Sequence, residues 1–205
     1  MNNSRAGFRI IFIEYMVEYW NQELRKRQLQ YDAPESHYSK ALYLVAYFNS
    51  MTISGKILTQ PPRIKVLEAL GSIADGRVRL IDSDRASVES STGERAYTVY
   101  VNMEKGVAFS DDNGTKFRGY IGYPIIAVLM LKGVLPFDER LAKALTGIPW
   151  KELNEQYKRY AIVEELVKRE AEKRGAIPKE VDSFVKRVMD RLSQIQLRYM
   201  PAPEA

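Results

Sequence analysis

The stretch Tyr100–Gly133, YVNMEKGVAFSDDNGTKFRGYIGYPIIAVLMLKG, contains the clearest structural signals of the sequence. Its first residues complete an alternating run, RAYTVYVN, that is rich in strand-forming residues and predicts a strand. GVAF predicts the next strand, and DDNG after it supplies residues typical of turns. The apolar run after Pro124 predicts a buried helix that ends at Gly133. Together these segments predict a small antiparallel sheet packed against a helix.

The residues before this stretch add a helix and another strand. A helix is predicted from Arg63 to about Ala74, and DG, at Asp75 and Gly76, ends it because glycine accepts the left-handed conformation of a helix stop. RVRLID then alternates as a strand does. Two N-terminal helices are predicted, over residues 7–30 and 37–51, before a boundary at Pro61 and Pro62.

The C-terminal third is predicted to be helical. PFDERLAKALTG gives a short helix, Pro149 opens a long one that runs to about Arg174, and a last helix begins near Lys179. Apolar residues of that last helix recur at spacings of four and three, which is the pattern of a helical hairpin or a coiled coil. This seam, as a possible oligomerisation surface, consists of Val181, Val185, Val188, Leu192, Ile195 and Tyr199.

The predicted fold class is therefore α+β and mainly helical. It has three regions: N-terminal helices over residues 1–61, a helix–strands–helix core over residues 62–134, and a helical hairpin over residues 135–205. The hairpin can pack within the chain, and the alternative is that its seam joins a second copy or a protein partner.

Composition limits the classes of function. The chain of 205 residues is 45% hydrophobic, which is enough for a real core. Its net charge of +5 and pI of about 9.2 favour an acidic partner such as nucleic acid, DNA ahead of RNA. It has no cysteine and one histidine, so disulfides, thiolate nucleophiles and cysteine or histidine zinc sites are excluded.

The same composition bears on the setting of the protein. Frequent Glu, Lys, Arg, Tyr and Val without cysteine is typical of hyperthermophile proteins and suggests an archaeal source. No apolar run reaches the roughly 20 residues of a membrane span. We expect a soluble, cytoplasmic protein, and a viral or mobile-element origin stays open.

The order of the segments from Arg63 to Gly133 resembles the SWIM zinc-finger family. Members of that family show a helix, a GRV strand, a V-x-S-S-x-G connector, a Y-x-V strand, two metal-ligand pairs and an I-x-A-V-L helix. Here GRVRL, VESSTG, YTVYV and IIAVLML follow in that order. The resemblance covers about a third of the chain and implies a ββα core of an interaction module.

The metal ligands of the family are missing from this sequence. The resemblance places the first ligand pair at Ala108 and Ser110 and the second at Gly122 and Pro124, with Asp112 matching an acidic residue after the first pair. None of the four can replace a thiolate or an imidazole as a zinc ligand. The resemblance therefore implies a metal-free finger, without cofactors, whose hairpin is held by apolar packing.

Sequence support for catalysis is weak. Asp111 and Asp112 are able to hold a hard cation such as Mg²⁺ in a hydrolase, although SDDNG is also a turn sequence. His37 has no acidic or histidine partner nearby in the sequence and sits at a predicted helix start. No phosphate-binding glycine loop or nucleophile motif occurs. We expect a protein that is not an enzyme.

Nucleic-acid binding is the first function that the sequence predicts. Basic residues alternate with aromatic ones, including Tyr97, Tyr100, Phe117 and Tyr120, along the strands and loops of the core. The expected mechanism is contact with phosphates and little reading of base sequence. The candidate residues are Arg77, Arg79, Arg85, Arg95, Lys105, Lys116 and Arg118. The alternative is a structural protein of the scaffold or coat type that assembles into a homo-oligomer through its helices.

Overall fold

A computed structural model describes residues 55–200 of the chain. The predicted N-terminal helices, residues 7–30 and 37–51, lie outside these residues. Two compact units divide the chain, residues 1–51 and residues 52–205. The described residues belong to the second unit, so Pro61 and Pro62, the predicted boundary, fall inside it.

Seven helices and five strands follow one another along the described residues. The helices are α1 (Ile64–Ala74), α2 (Asn113–Arg118), α3 (Tyr123–Leu131), α4 (Glu139–Ala144), α5 (Trp150–Tyr157), α6 (Tyr160–Lys173) and α7 (Pro178–Leu192). The strands are β1 (Val78–Leu80), β2 (Arg85–Glu89), β3 (Ala96–Asn102), β4 (Val107–Ser110) and β5 (Arg198–Tyr199). The predicted α+β, mainly helical fold class is confirmed.

The strands form a single sheet in the order β1-β2-β3-β4-β5. The first four pair as an antiparallel meander, where three antiparallel strands were predicted, and β5 pairs with β4 in parallel, so the sheet is mixed. Strand β2 was not predicted. Its residues RASVE bury only Ala86 and Val88, and such small apolar side chains give a weak alternating signal.

The turn predicted at DDNG is in fact the start of helix α2. The carboxylate of Asp112 accepts hydrogen bonds from the backbone N–H groups of Gly114 and Thr115, which caps the helix. The helix ends after six residues at Gly119, which has φ of +68°. Asp112 of the predicted turn thus caps a helix, and Gly114 of that turn lies inside the helix.

Helix α3 lies at the centre of the unit. It contacts β1, β3 and β4 of the sheet and packs against α1 along its length. All its residues from Tyr123 to Met130 are buried, as expected for a helix that is apolar on every side. Helix α1 in turn contacts α4, α6 and α7. The predicted regions 62–134 and 135–205 therefore share one hydrophobic core.

The long helix expected from Pro149 to Arg174 is two helices. Helix α5 ends at Tyr157 and is followed by Lys158, whose φ is +53° and which is the one non-glycine residue with positive φ among the described residues. Helix α6 begins two residues later. No glycine or proline marks this break, so the local sequence does not predict it.

The predicted oligomerisation seam packs inside the chain. Val181, Val185, Val188 and Leu192 are no more than 2% exposed, and Ile195 packs against the same core. Tyr199 does not continue the helix but belongs to strand β5, where it is 5% exposed. Contacts of α7 with α6 and α1 bury the four residues of the seam that lie on α7, so those four offer no free surface to a second copy.

Among the described residues no helix combines the length and apolar character needed to cross a membrane.

Candidate functional site

A cleft of about 530 Å³ opens where the starts of α1 and β3 meet helix α2 and the junction of α5 and α6. Four tyrosines line it, so we call it the tyrosine cleft: Tyr97, Tyr120, Tyr123 and Tyr160. The rings of Tyr97 and Tyr123 meet edge to face, with centroids 6.1 Å apart. Its volume is in the range of small-molecule sites.

The floor of the tyrosine cleft holds a buried ion pair. Lys65 and Glu68 lie one turn apart on α1, and Nζ of Lys65 is 2.5 Å from Oε2 of Glu68. The ammonium also lies 5.1 Å from the ring centre of Tyr160 and 6.0 Å from that of Tyr123. Burial opposes the charge of Lys65, but the charge and hydrogen bond of Glu68 outweigh it and raise the pKa of Lys65. The ammonium of Lys65 is therefore charged at neutral pH.

Two of the tyrosines that line the cleft, Tyr120 and Tyr123, have raised pKa values. Burial and a hydrogen bond with Tyr160 raise the pKa of Tyr120, and burial followed by the charge of Glu68 raises that of Tyr123. Arg118 donates a hydrogen bond from Nη1 to the hydroxyl of Tyr160, over 3.2 Å. The hydroxyls of Tyr120 and Tyr123 thus stay protonated at neutral pH and add no negative charge to the cleft.

Three further cations surround the opening of the cleft: Arg118, Lys151 and Lys158. Lys151 pairs with Glu94 at 2.5 Å, an exposed contact. No carboxylate within residues 55–200 comes within salt-bridge distance of Lys158, which is exposed. The acidic lining residues are Glu68, already paired, Asp112, which caps α2, and Glu155. Arg118, Lys151 and Lys158, at the opening, are therefore more available to a ligand than the buried Lys65.

A closed hydrogen-bond network lies beside the cleft at the positions where the SWIM resemblance places metal ligands. Oδ2 of Asp112 accepts a hydrogen bond from Thr115 Oγ1 at 2.6 Å, and that hydroxyl oxygen accepts one from the backbone N–H of Gly122 at 3.0 Å. The hydroxyl of Ser110 accepts a hydrogen bond from the Asp112 N–H. These donors and acceptors satisfy one another, and they do not fit zinc.

The seven basic residues predicted to contact phosphates do not form one surface. The side chain of Arg77 is held in place by hydrogen bonds. Its guanidinium donates to the carboxylate of Asp75, over 3.1 Å, and to the backbone carbonyl of Glu89, over 2.8 Å. Its side chain is only 10% exposed. Arg77 is therefore a structural residue of the β1–β2 edge in this arrangement.

Two more of them lie on the sheet face that points away from α3. Arg85 alternates with the buried Ala86 and Val88 of β2, and Arg79 pairs with Ser87, which lies on the same face as Arg85. Arg85 pairs with Asp82 at 2.6 Å, and backbone N–H donors together with Arg85 lower the pKa of Asp82 to about 2. Arg79 is exposed.

The remaining four residues are exposed at three other places. Lys105 lies in the turn between β3 and β4, and Lys116 lies on α2 with its ammonium 5.5 Å from the ring centre of Phe117. Arg95 lies 5.4 Å from the ring centre of Tyr97. Arg118 is the one of the seven that lines the tyrosine cleft.

The acidic residues considered for a cation site are used elsewhere. Asp111 accepts a hydrogen bond from the backbone N–H of Thr98, and Asp112 caps α2. Within the part of the chain that the structure describes, no group of three or more His, Cys, Asp or Glu side chains comes together. The geometry thus adds no support to the metal-dependent hydrolase considered as a third alternative.

Sequence reasoning missed most of the tyrosine cleft. These residues come from segments that were predicted as helices and given no functional role: Lys65, Glu68, Lys151, Asn154, Lys158 and Tyr160. One signal was available, QYKRY at residues 156–160, because it alternates aromatic and basic residues as the predicted sheet surface does.

Comparison with protein families gives a match over most of the described residues. The model of the family described as Uncharacterised conserved protein UCP014422 matches residues 58–198, which is more than half of the chain. The match includes every residue that lines the tyrosine cleft. No curated protein and no solved structure matches the chain significantly.

Proposed function

The chain belongs to the UCP014422 family, and we propose that it binds nucleic acid without catalysing a reaction, holding a single strand at the tyrosine cleft. Four aromatic rings and three cations around one opening support this proposal. Stacking surfaces beside positive charges are the usual means of binding single-stranded nucleic acid.

The conformation of Lys158 carries the proposal. A left-handed residue after a helix is normally Gly or Asn, because a Cβ atom makes this conformation cost about 1–2 kcal/mol. Lys158 has φ of +53° and ψ of 5° there, and it lines the cleft. Strained positions that break a local preference concentrate at functional sites. A lysine in this place directs a positive charge to the opening of the cleft.

In the proposed mechanism, the cations at the opening and the tyrosines of the walls bind different parts of the nucleic acid. Lys151, Lys158 and Arg118 would contact phosphates, which gives affinity that does not depend on sequence. Exposed ion pairs are worth about 1 kcal/mol or less, so a phosphate can displace Glu94 from Lys151. The tyrosine rings would stack on an unpaired base. A duplex keeps its bases stacked inside, so single strands should bind more tightly.

The metal-free SWIM-like core belongs to the same proposal. The hydrogen bonds among Asp112, Thr115 and Gly122 support it, since they join the two segments that a metal joins in that family. In this view the network keeps α2, and with it Arg118, at the cleft.

Binding of the full chain to single- and double-stranded oligonucleotides across a salt series tests the proposal. The logarithm of the binding constant should fall linearly with the logarithm of salt concentration, with a slope of about −0.7 per phosphate contact for a single strand. The double variant Lys151→Gln, Lys158→Gln should bind more weakly, and its slope should be smaller by about 1.4.

The matched control is Lys143→Gln, Lys186→Gln. These two lysines are exposed on α4 and α7, and each pairs with a carboxylate as Lys151 does. The control should keep the affinity and the slope of the unmodified protein. Absence of binding at low salt, or an equal loss in both double variants, would overturn the proposal.

A further inference from the structure

The floor of the tyrosine cleft is more specific than phosphate contacts require. Lys65 and Glu68 expose only 11% and 9% of their side chains, and both line the cleft. An ammonium has three donors and a carboxylate about four acceptor positions. Within residues 55–200 each group makes one hydrogen bond, to the other. Both keep unused capacity, so the floor presents a donor next to an acceptor.

The side chain of Asn154 is another polar group at the cleft, and its oxygen has no hydrogen-bond partner among the described residues. Oδ1 of Asn154 is buried and accepts no hydrogen bond, and Asn154 lines the cleft. A buried acceptor without a donor costs about 1–3 kcal/mol, and such a cost is removed when a ligand supplies the donor. The expected ligand therefore carries at least one donor besides those that Glu68 accepts.

The walls and the volume limit the shape of this ligand. Four tyrosine rings line the cleft, and planar aromatic groups pack against rings edge to face or offset. A cleft of about 530 Å³ is in the range of sites for small molecules and cofactors and excludes a duplex. One unpaired nucleotide, with its base inside and its phosphate at the opening, fits these limits.

The hydrogen-bonding edge of the base decides among the four nucleotides. Guanine presents two adjacent donors, N1–H and the N2 amino group, next to the acceptor O6. Glu68 can accept from both donors while Lys65 donates to O6. Adenine and cytosine each offer one amino donor beside ring acceptors, and uracil offers one donor between two acceptors. Each of these bases can therefore donate one hydrogen bond to Glu68 and accept one from Lys65, and only guanine brings a second donor to the carboxylate.

We infer that the tyrosine cleft binds one unpaired guanine nucleotide, with the base edge on Lys65 and Glu68 and the phosphate at Lys151 and Lys158. The inference rests on the proposed function for its phosphate contacts and adds a base preference to it. Asn154 would accept a hydrogen bond from a sugar hydroxyl or from the base. The same chemistry is offered by a free guanine mononucleotide and by a guanosine within a strand.

Titration calorimetry on the full chain with GMP, AMP, CMP and UMP tests the preference. GMP should bind on the order of 10-fold more tightly than the others, which is the discrimination of one good bidentate contact. Inosine monophosphate, which lacks only the N2 amino group, should also bind on the order of 10-fold more weakly than GMP. This comparison changes no residue, so it does not depend on the folding of a variant.

A variant adds a second line of evidence. Glu68→Gln replaces one acceptor with a donor, and it should reduce the preference for GMP over AMP to less than about 3-fold. Circular dichroism and the melting temperature show whether the variant is folded. Equal affinity for all four mononucleotides, or equal affinity for GMP and inosine monophosphate, would overturn the inference.

Binding of oligonucleotides distinguishes a free nucleotide from a guanosine within a strand. It also distinguishes the base preference from the proposed function. A twelve-residue thymidine strand with one central guanosine should bind on the order of 10-fold more tightly than the strand without it. Salt-dependent binding with no effect of the guanosine would overturn the base preference and leave the proposed function standing. Binding of GMP without binding of either strand would overturn the proposed function and make the cleft a site for a free nucleotide.

Discussion

Nζ of Lys65 lies 2.5 Å from Oε2 of Glu68, and both side chains are almost fully buried at the floor of the tyrosine cleft. Removing one member of a buried ion pair is costly, about 3–5 kcal/mol, because the other charge is left without compensation. The pair therefore has to be retained or replaced as a unit. Its position in a cleft is the reason to connect it with a ligand and not only with stability.

We expect the contribution of this ion pair to the free energy of unfolding to be lost at alkaline pH. The pKa of Lys65 is raised, because the charge of Glu68 and its hydrogen bond outweigh the effect of burial. Its contribution to the free energy of unfolding is complete below about pH 10.5, the pKa of an unperturbed lysine, and is lost as the pH rises through the raised value. Lys65→Met should therefore be less stable than the unmodified protein at pH 8, and the gap should narrow above pH 10.5.

Urea unfolding followed by circular dichroism between about pH 8 and 11.5 measures this gap. Tyr120 and Tyr123 also have raised pKa values, but both proteins contain them, so their contribution cancels in the difference. A gap that stays constant with pH would contradict the prediction.

We expect the glycine and alanine variants of Lys158 to differ in stability but not in their binding of single strands. Lys158→Gly and Lys158→Ala both remove the charge, but only glycine adopts φ of +53° without strain. The glycine variant should be more stable than the alanine variant by about 1 kcal/mol. Both should bind single strands equally weakly, which thermal melts and the salt series would show. A glycine variant no more stable than the alanine variant would rule out strain at this residue.

The two arginines at the first strand should separate structural from functional roles. Arg77→Ala removes contacts to Asp75 and to the carbonyl of Glu89, so it should lower the free energy of unfolding by about 1–3 kcal/mol. Arg79→Ala, at an exposed residue, should change it by about 0.5 kcal/mol or less. Urea unfolding of both variants measures this difference, and similar losses would contradict it.

Gly122 and Asp112 should be energetically coupled. Gly122 has an ordinary φ of −67°, but a Cβ atom there would clash with both carboxylate oxygens of Asp112 and with the hydroxyl of Thr115. Gly122→Ala should cost about 1–3 kcal/mol through this overpacking. In an Asp112→Ala background the cost should be smaller, since two of the three contacts are gone.

A double-mutant cycle of these two substitutions, measured by urea unfolding, gives the coupling free energy. Asp112→Ala alone should cost about 1–2 kcal/mol, because it removes the cap of α2. Strictly additive losses would show that the glycine is not required by the carboxylate.

Much of the fold follows from local sequence patterns. Strands β3 and β4 alternate clearly, and α3 is an apolar run between a proline and a glycine, so each was predicted near its observed bounds. Strand β2 and the break at Lys158 were not, because small buried residues and a lysine in a glycine conformation leave no local signal.

The tyrosine cleft required the tertiary structure. Its tyrosines come from β3, from the segment after α2, from α3 and from α6, so no window of sequence contains the arrangement. The predicted class of residues, aromatic with basic, is the one that lines the cleft. The individual residues differ from those predicted, since Arg118 alone among the seven predicted cations lines the cleft.

The last strand has a consequence for how the protein is made. Strand β5 pairs with β4, and backbone hydrogen bonds also join it to Gly55 and Lys56, about 140 residues earlier in the chain. Contacts so distant in sequence form late and slow folding. During synthesis the edge of β4 stays open until Tyr199 has left the ribosome, and an open edge invites pairing with other chains. Nascent chains stalled before this residue should therefore be prone to aggregation and dependent on chaperones.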